Sequence, residues 1–109
     1  MADLLDRGTA ETYASWFRAL ADPSRVQIVE YLARQGRPMP VGEIVAAAGL
    51  AQSTVSQHLR ILTEVRFVLV EAVGNARHYR INDNCVNCFP SAADVVMGKP
   101  APTTPEACA

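Results

Sequence analysis

The hydrophobic period of this chain changes once, and that change constrains the fold more than any other feature. Up to about residue 65 the apolar residues recur at helical spacing. Beyond it, "FVLVEAV" (67–73) and "ARHYRI" (76–81) are β-rich runs separated by Gly74-Asn75, a strong two-residue hairpin signal. The expected fold is mainly α with a small β-hairpin (α+β). At 109 residues, half of them apolar, the chain suits one domain with a modest core.

The helical part divides into segments. Thr9 is placed to cap a helix that carries Glu11 in its first turn, and Tyr13, Trp16, Phe17 and Leu20 fall at i, i+3, i+4 and i+7 on one face. "ADPSR" (21–25) ends that helix and starts another, with Asp22 as N-cap and Pro23 at the first helical position. Val26, Val29 and Ala33, flanked by Ile28 and Leu32, predict a wide buried face that Gly36 terminates. "RPMP" (37–40) reads as a connector, and "VGEIVAAAG" (41–49) as a short helix stopped by Gly49. In the next helix Val55, Leu59 and Leu62 face the core, while Gln52, Ser53, Thr54, Ser56, Gln57 and Arg60 make a polar face without acids. After the hairpin, "SAADVVMG" (91–98) predicts a short helix with Ser91 and Asp94 at capping-box spacing, because Pro90 should interrupt any helix continuous from residue 84. Residues 1–98 are thus expected to form the domain. Residues 99–109, with three prolines and no periodicity, are expected to form a mobile tail.

Two short helices joined by a tight Gly-containing turn, followed by a hairpin, make a winged helix-turn-helix. The major groove admits one helix, and amide, hydroxyl and guanidinium side chains complement base edges and phosphates there. An acid-free polar face is what such a groove requires. Asn75, Arg77 and His78 near the hairpin tip are within reach of the flanking backbone. The overall net charge of −1 does not advertise nucleic-acid binding, but the charge is uneven. Residues 52–82 hold four arginines against two glutamates, a net +2, whereas residues 83–109 hold one lysine against three carboxylates, a net −2.

"LADPSRVQIVEYL", "GLAQSTVSQHLRIL" and "VGNARHYRI", in this order, resemble the ArsR/SmtB (arsenic-repressor and metal-sensor) family of bacterial transcriptional repressors over about residues 11–82. The resemblance implies a homodimer on operator DNA of two-fold symmetry, released when a metal ion or metalloid binds. It makes residues 52–63 the recognition helix and places Ser53, Thr54, Ser56, Gln57 and His58 where the family meets DNA. His58 is either a DNA or a packing contact. The family dimerises through its first and last helices, and the short 91–98 segment shifts the expected weight of that contact to the first.

The sensing chemistry implied by the resemblance needs ligands. The family's Cys-x-Cys motif on the helix before the recognition helix is absent, since "MPVGEIVAAAG" has no thiol or imidazole, and no His follows His78 for a site on the last helix. All three cysteines, Cys85, Cys88 and Cys108, lie in the last quarter of the chain. Cys-x2-Cys in a reducing compartment points to metal or redox chemistry. Three thiolates suit a three-coordinate guest such as As(III) or Sb(III), and soft ligands also accept Cd(II), Pb(II) or Hg(II). Zn(II) would draw a fourth ligand from His78, Asp83, Glu106 or water.

The rival readings are a repressor that senses oxidation through Cys85 and Cys88, burial of those thiols in packing, and a small dithiol redox protein. The last lacks the βαβ setting in which redox Cys-x2-Cys pairs sit. No Gly-rich phosphate loop, metalloprotease His motif or Ser nucleophile elbow supports an enzyme. No apolar run reaches the about 18 residues of a membrane span. The acidic N-terminus lacks an apolar signal segment, so a cytoplasmic protein is expected.

Overall fold

The computed structural model describes residues 4–98, and residues 85–91 through their backbone alone. The described residues form α1 (Arg7–Ala19), α2 (Pro23–Gln35), β1 (Met39–Pro40), α3 (Val41–Ala48), α4 (Gln52–Glu64), β2 (Val68–Val73), β3 (Ala76–Ile81) and α5 (Asp83–Val96). The arrangement is a winged helix-turn-helix. No described helix is long and apolar enough to cross a membrane.

The core gathers one face from each helix. Tyr13, Trp16 and Ala19 of α1 are buried, and the Trp16 ring lies 5.4 Å from Tyr13 and 6.3 Å from Phe67, centroid to centroid. Phe17 and Leu20 pack at its margin. Val55, Leu59 and Leu62 are fully enclosed, as their spacing predicts. In α2 the buried face differs from the expected one. Ile28 and Leu32 are enclosed, Val29 is half-buried, and Val26 and Ala33 are exposed. Ile28 and Leu32 are one helical turn apart, so they alone align with Ile44 and the buried stripe of α4.

The wing has three strands, not two. The segment expected as a connector contributes β1, which pairs antiparallel with β3 through Met39–Tyr79 and Pro40–His78, in sheet order β1-β3-β2. Met39, 1% exposed, anchors this strand in the core. Pro40 is tolerated because it lies on an edge strand, where the missing N–H leaves no gap in the sheet interior. The hairpin itself closes as expected, with Val73 opposite Ala76 and Gly74 at φ 62.

Two helix starts differ from expectation. Asp6, not Thr9, caps α1: its carboxylate accepts the Thr9 N–H at 3.1 Å, and Thr9 lies inside the helix. A carboxylate three residues earlier also complements the positive end of the helix dipole. The last helix is longer than predicted. α5 runs from Asp83 through Pro90 to Val96, so Ser91 and Asp94 sit mid-helix and the cap is Asn82, whose side chain accepts the Asn84 N–H at 3.2 Å. Proline costs a helix one hydrogen bond and a clash with the preceding turn. Burial of Ala92 and packing of Val95 on the core hold the C-terminal half nonetheless.

Candidate nucleic-acid interface

α3 ends at Gly49, which takes the left-handed conformation (φ 68) and donates its N–H to Val45 O at 3.0 Å. A side chain with a Cβ is strained there, so glycine fixes the sharp turn into α4. α4 then splits cleanly into two faces. Its core face is fully enclosed, while Gln52, Ser53, Thr54, Ser56, Gln57 and Arg60 are all exposed. Arg60 Nε stands 3.6 Å from Glu64 Oε1 in a solvent-exposed i, i+4 pair, which leaves the guanidinium free to exchange partners. At the wing, Asn75 and Arg77 are exposed and His78 is half-buried.

These pieces share one open groove of about 920 Å³. It is bounded by Pro40, Val41 and Gly42 at the start of α3, Gln52, Ser56, Arg60 and Thr63 of α4, and Asn75, Arg77 and Tyr79 of the wing. Of the expected interface residues, Gln52, Ser56 and Arg60 line the α4 side of this groove and Asn75 and Arg77 its opposite rim, while Ser53, Thr54 and Gln57 are exposed outside its lining.

His58 stands apart from that set. It is half-buried, and its Nδ1 lies 3.3 Å from Arg25 Nη1 on α2. Arg25 also donates from Nε to Ala19 O at 2.6 Å. Asp22, the N-cap of α2, accepts the backbone N–H of Ser24 at 2.8 Å and of Arg25 at 3.2 Å. The bond from Arg25 first, and that from Ser24, hold the Asp22 carboxyl below its ordinary pKa, against a desolvation that raises it.

The helix starts show a feature that sequence reading overlooked. α3 and α4 begin at Pro40 and Ala51 with no side-chain cap. The first N–H groups of a helix have no intrahelical partner and attract anions. The signal was present in the sequence, since neither residue carries a side-chain acceptor. The Arg25 contact had no such signal.

Positions 85 and 88 fall one turn apart on α5. Cys108 lies outside the described residues. Asn82, at the junction of wing and α5, donates from Nδ2 to Arg66 O at 2.8 Å, and its N–H bonds Phe67 O at 2.9 Å. The start of α5 is thus tied to the turn that follows α4.

The model of the arsR family of bacterial regulatory proteins matches residues 22–69. The chain is 38% identical over 93 residues to the transcriptional repressor SmtB homolog of Synechocystis sp., covering 84% of this chain and 69% of the relative. The chain belongs to the arsR family. As an ArsR/SmtB-type winged helix-turn-helix it is a DNA-binding transcriptional regulator and not an enzyme. Two solved structures extend the likeness. The homodimeric winged helix-turn-helix DNA-binding domain Mb0332 of Mycobacterium bovis superposes with a TM-score of 0.68 at 29% identity, covering 89% of this chain and 91% of that one. The antimony-specific transcriptional repressor AntR does so with a TM-score of 0.69 at 29% identity, covering 88% and 86%.

Proposed function

We propose that this ArsR-family chain acts as a homodimeric repressor on operator DNA of two-fold symmetry, and that a thiophilic metal or metalloid bound by Cys85, Cys88 and Cys108 releases it. The observation that carries the DNA half is the shared groove of α3, α4 and the wing. In this reading Gln52, Ser53, Thr54, Ser56 and Gln57 meet base edges and sugar-phosphate in the major groove. Arg60, Asn75 and Arg77 hold the flanking phosphates. The uncapped N–H groups of α3 and α4 add neutral donors to the same backbone. Dimerisation fits the exposed apolar residues at the outer ends of the two helices that the family uses for it, Leu5 preceding α1 and Val96 as the last residue of α5. The unexpected length of α5 supports an equal share for both helices.

The sensing half rests on chemistry and spacing. Among the residues whose side chains are described, no three His, Cys, Asp or Glu groups converge. The proposed ligands are the cysteines of α5 and of the segment beyond, Cys85, Cys88 and Cys108. Residues three apart on a helix are neighbours, so the Cys85–Cys88 spacing suits two thiolates on one ion. A third from Cys108 completes the trigonal thiolate set that As(III) or Sb(III) takes, with Cd(II), Pb(II) and Zn(II) as competitors. The antimony specificity of AntR is consistent with such a guest. Ion binding displaces thiol protons, so affinity rises with pH. A shift of α5 passes to α4 through the Asn82 bonds to Arg66 and Phe67. The ion must favour the weak-binding form by a few kcal/mol to change occupancy.

Fluorescence anisotropy of the reduced protein on labelled DNA from upstream of its own gene tests both halves. Near-stoichiometric release by As(III) or Sb(III), abolished in the Cys85→Ser, Cys88→Ser double variant, is expected. Release that survives the double substitution removes the cysteines from the site. Reversible release by peroxide without any ion transfers the signal to thiol oxidation.

A further inference from the structure

We infer that Arg25, which lies outside the DNA-facing set, is a positioning residue for operator binding, and that His58 serves as its acceptor through Nδ1 instead of contacting DNA through Nε2. The inference rests on the operator-binding reading and deepens it.

A hydrogen bond across the Arg25–His58 contact requires one proton arrangement. A guanidinium has donors and no acceptor. At 3.3 Å from Arg25 Nη1, His58 Nδ1 must therefore present its lone pair, and the ring proton resides on Nε2. The same guanidinium donates from Nε to Ala19 O at 2.6 Å, in the last turn of α1. One planar fork thus joins three elements: the end of α1, the first turn of α2, and the middle of the recognition helix. The fork is itself held at its root, because Asp22 accepts the Arg25 backbone N–H at 3.2 Å. Lysine has one donor centre and no fixed plane, so it does not span Ala19 O and His58 together.

This places the contact where it governs orientation. α4 is otherwise held by apolar packing, which resists separation but tolerates rotation about the helix axis better than a directional bond does. His58 lies between the fully buried Val55 and Leu59 and the exposed Ser56, Gln57 and Arg60, at the boundary of the two faces. A rotation that frees His58 from Arg25 also turns every base-facing side chain. Removing the bond therefore weakens DNA binding without removing any DNA contact.

The test uses the full-length protein on labelled upstream DNA, with thermal unfolding of every variant alongside. Asn places its amide oxygen near the position of Nδ1, whereas Gln places its polar group near Nε2. His58→Ala and Arg25→Ala are each expected to weaken binding about tenfold, the scale of one charge-assisted hydrogen bond, and the double variant no further. His58→Asn should recover most of the loss and His58→Gln little of it. The salt dependence should keep its slope in Arg25→Ala, because no phosphate contact is lost. A His58→Gln protein that binds like wild type while His58→Asn does not would make Nε2 a DNA contact and overturn the inference. So would additive losses, or a salt slope reduced by about one unit. If Arg25→Ala does not fold, the Asn and Gln variants of His58 decide alone. Wild-type protein that binds no upstream DNA defeats the operator reading itself, and this inference with it.

Discussion

α1, α2 and α5 begin under side-chain caps, and α3 and α4 do not. Asp6, Asp22 and Asn82 each accept a first-turn N–H, whereas Pro40 and Ala51 offer no acceptor. The two bare starts belong to the helix-turn-helix, and the start of α3 and the first residue of α4 border the same groove. A cap satisfies a donor within the chain, while a bare start keeps that donor for something outside it. The difference shows where this molecule forgoes local stability, and the deficit is made up from below: Val55, Leu59 and Leu62 anchor α4 by burial.

That contrast can be broken from its strongest side first. Leu59→Ala should cost about 2–5 kcal/mol in urea unfolding, since burial and not capping holds α4. A loss below about 1 kcal/mol would mean that the helix is held by something else. Ala51→Asp should act in two directions. A carboxylate at the N-cap should add about 0.5–2 kcal/mol of stability, and operator affinity should fall about tenfold or more, because the N–H groups are occupied and a negative charge faces phosphate. Asp6→Ala should cost about 1 kcal/mol of stability and leave operator affinity unchanged.

The smallest effect concerns acid. The Asp22 carboxyl is held below its ordinary pKa in the folded chain. Its contribution to stability is therefore complete above the unfolded carboxylate value and is lost as pH falls through the folded one. Urea midpoints measured down through that range should decline more in wild type than in Asp22→Asn, which keeps an acceptor that does not titrate. Equal declines would assign the acid sensitivity to other carboxylates.

Much of this molecule was legible before its coordinates. The buried stripe of α4, the Gly49 turn, the Asp22-Pro23 start and the Gly74-Asn75 hairpin all follow from local rules, because spacing and turn chemistry act over a few residues. The misses share a cause as well. β1 is two residues long and exists only because β3 is there to pair with it, so "RPMP" carried no strand signal of its own. Helix α5 crosses Pro90 because tertiary packing outweighs a local break. The Arg25–His58 bond joins residues 33 apart in sequence, a distance over which no periodicity speaks. On α4, residue types marked the exposed polar face but not the turning of His58 toward α2.

The most direct measurement pairs two variants across the contrast. Ala51→Asp and Asp6→Ala would each be followed by thermal unfolding and by anisotropy on labelled upstream DNA in the same buffer. Crossed signs are predicted: Ala51→Asp melts higher and binds more weakly, while Asp6→Ala melts lower and binds as wild type. If Ala51→Asp gains stability and keeps full affinity, the bare start of α4 is not a DNA contact, and the groove between α4 and the wing is not where this repressor holds its operator.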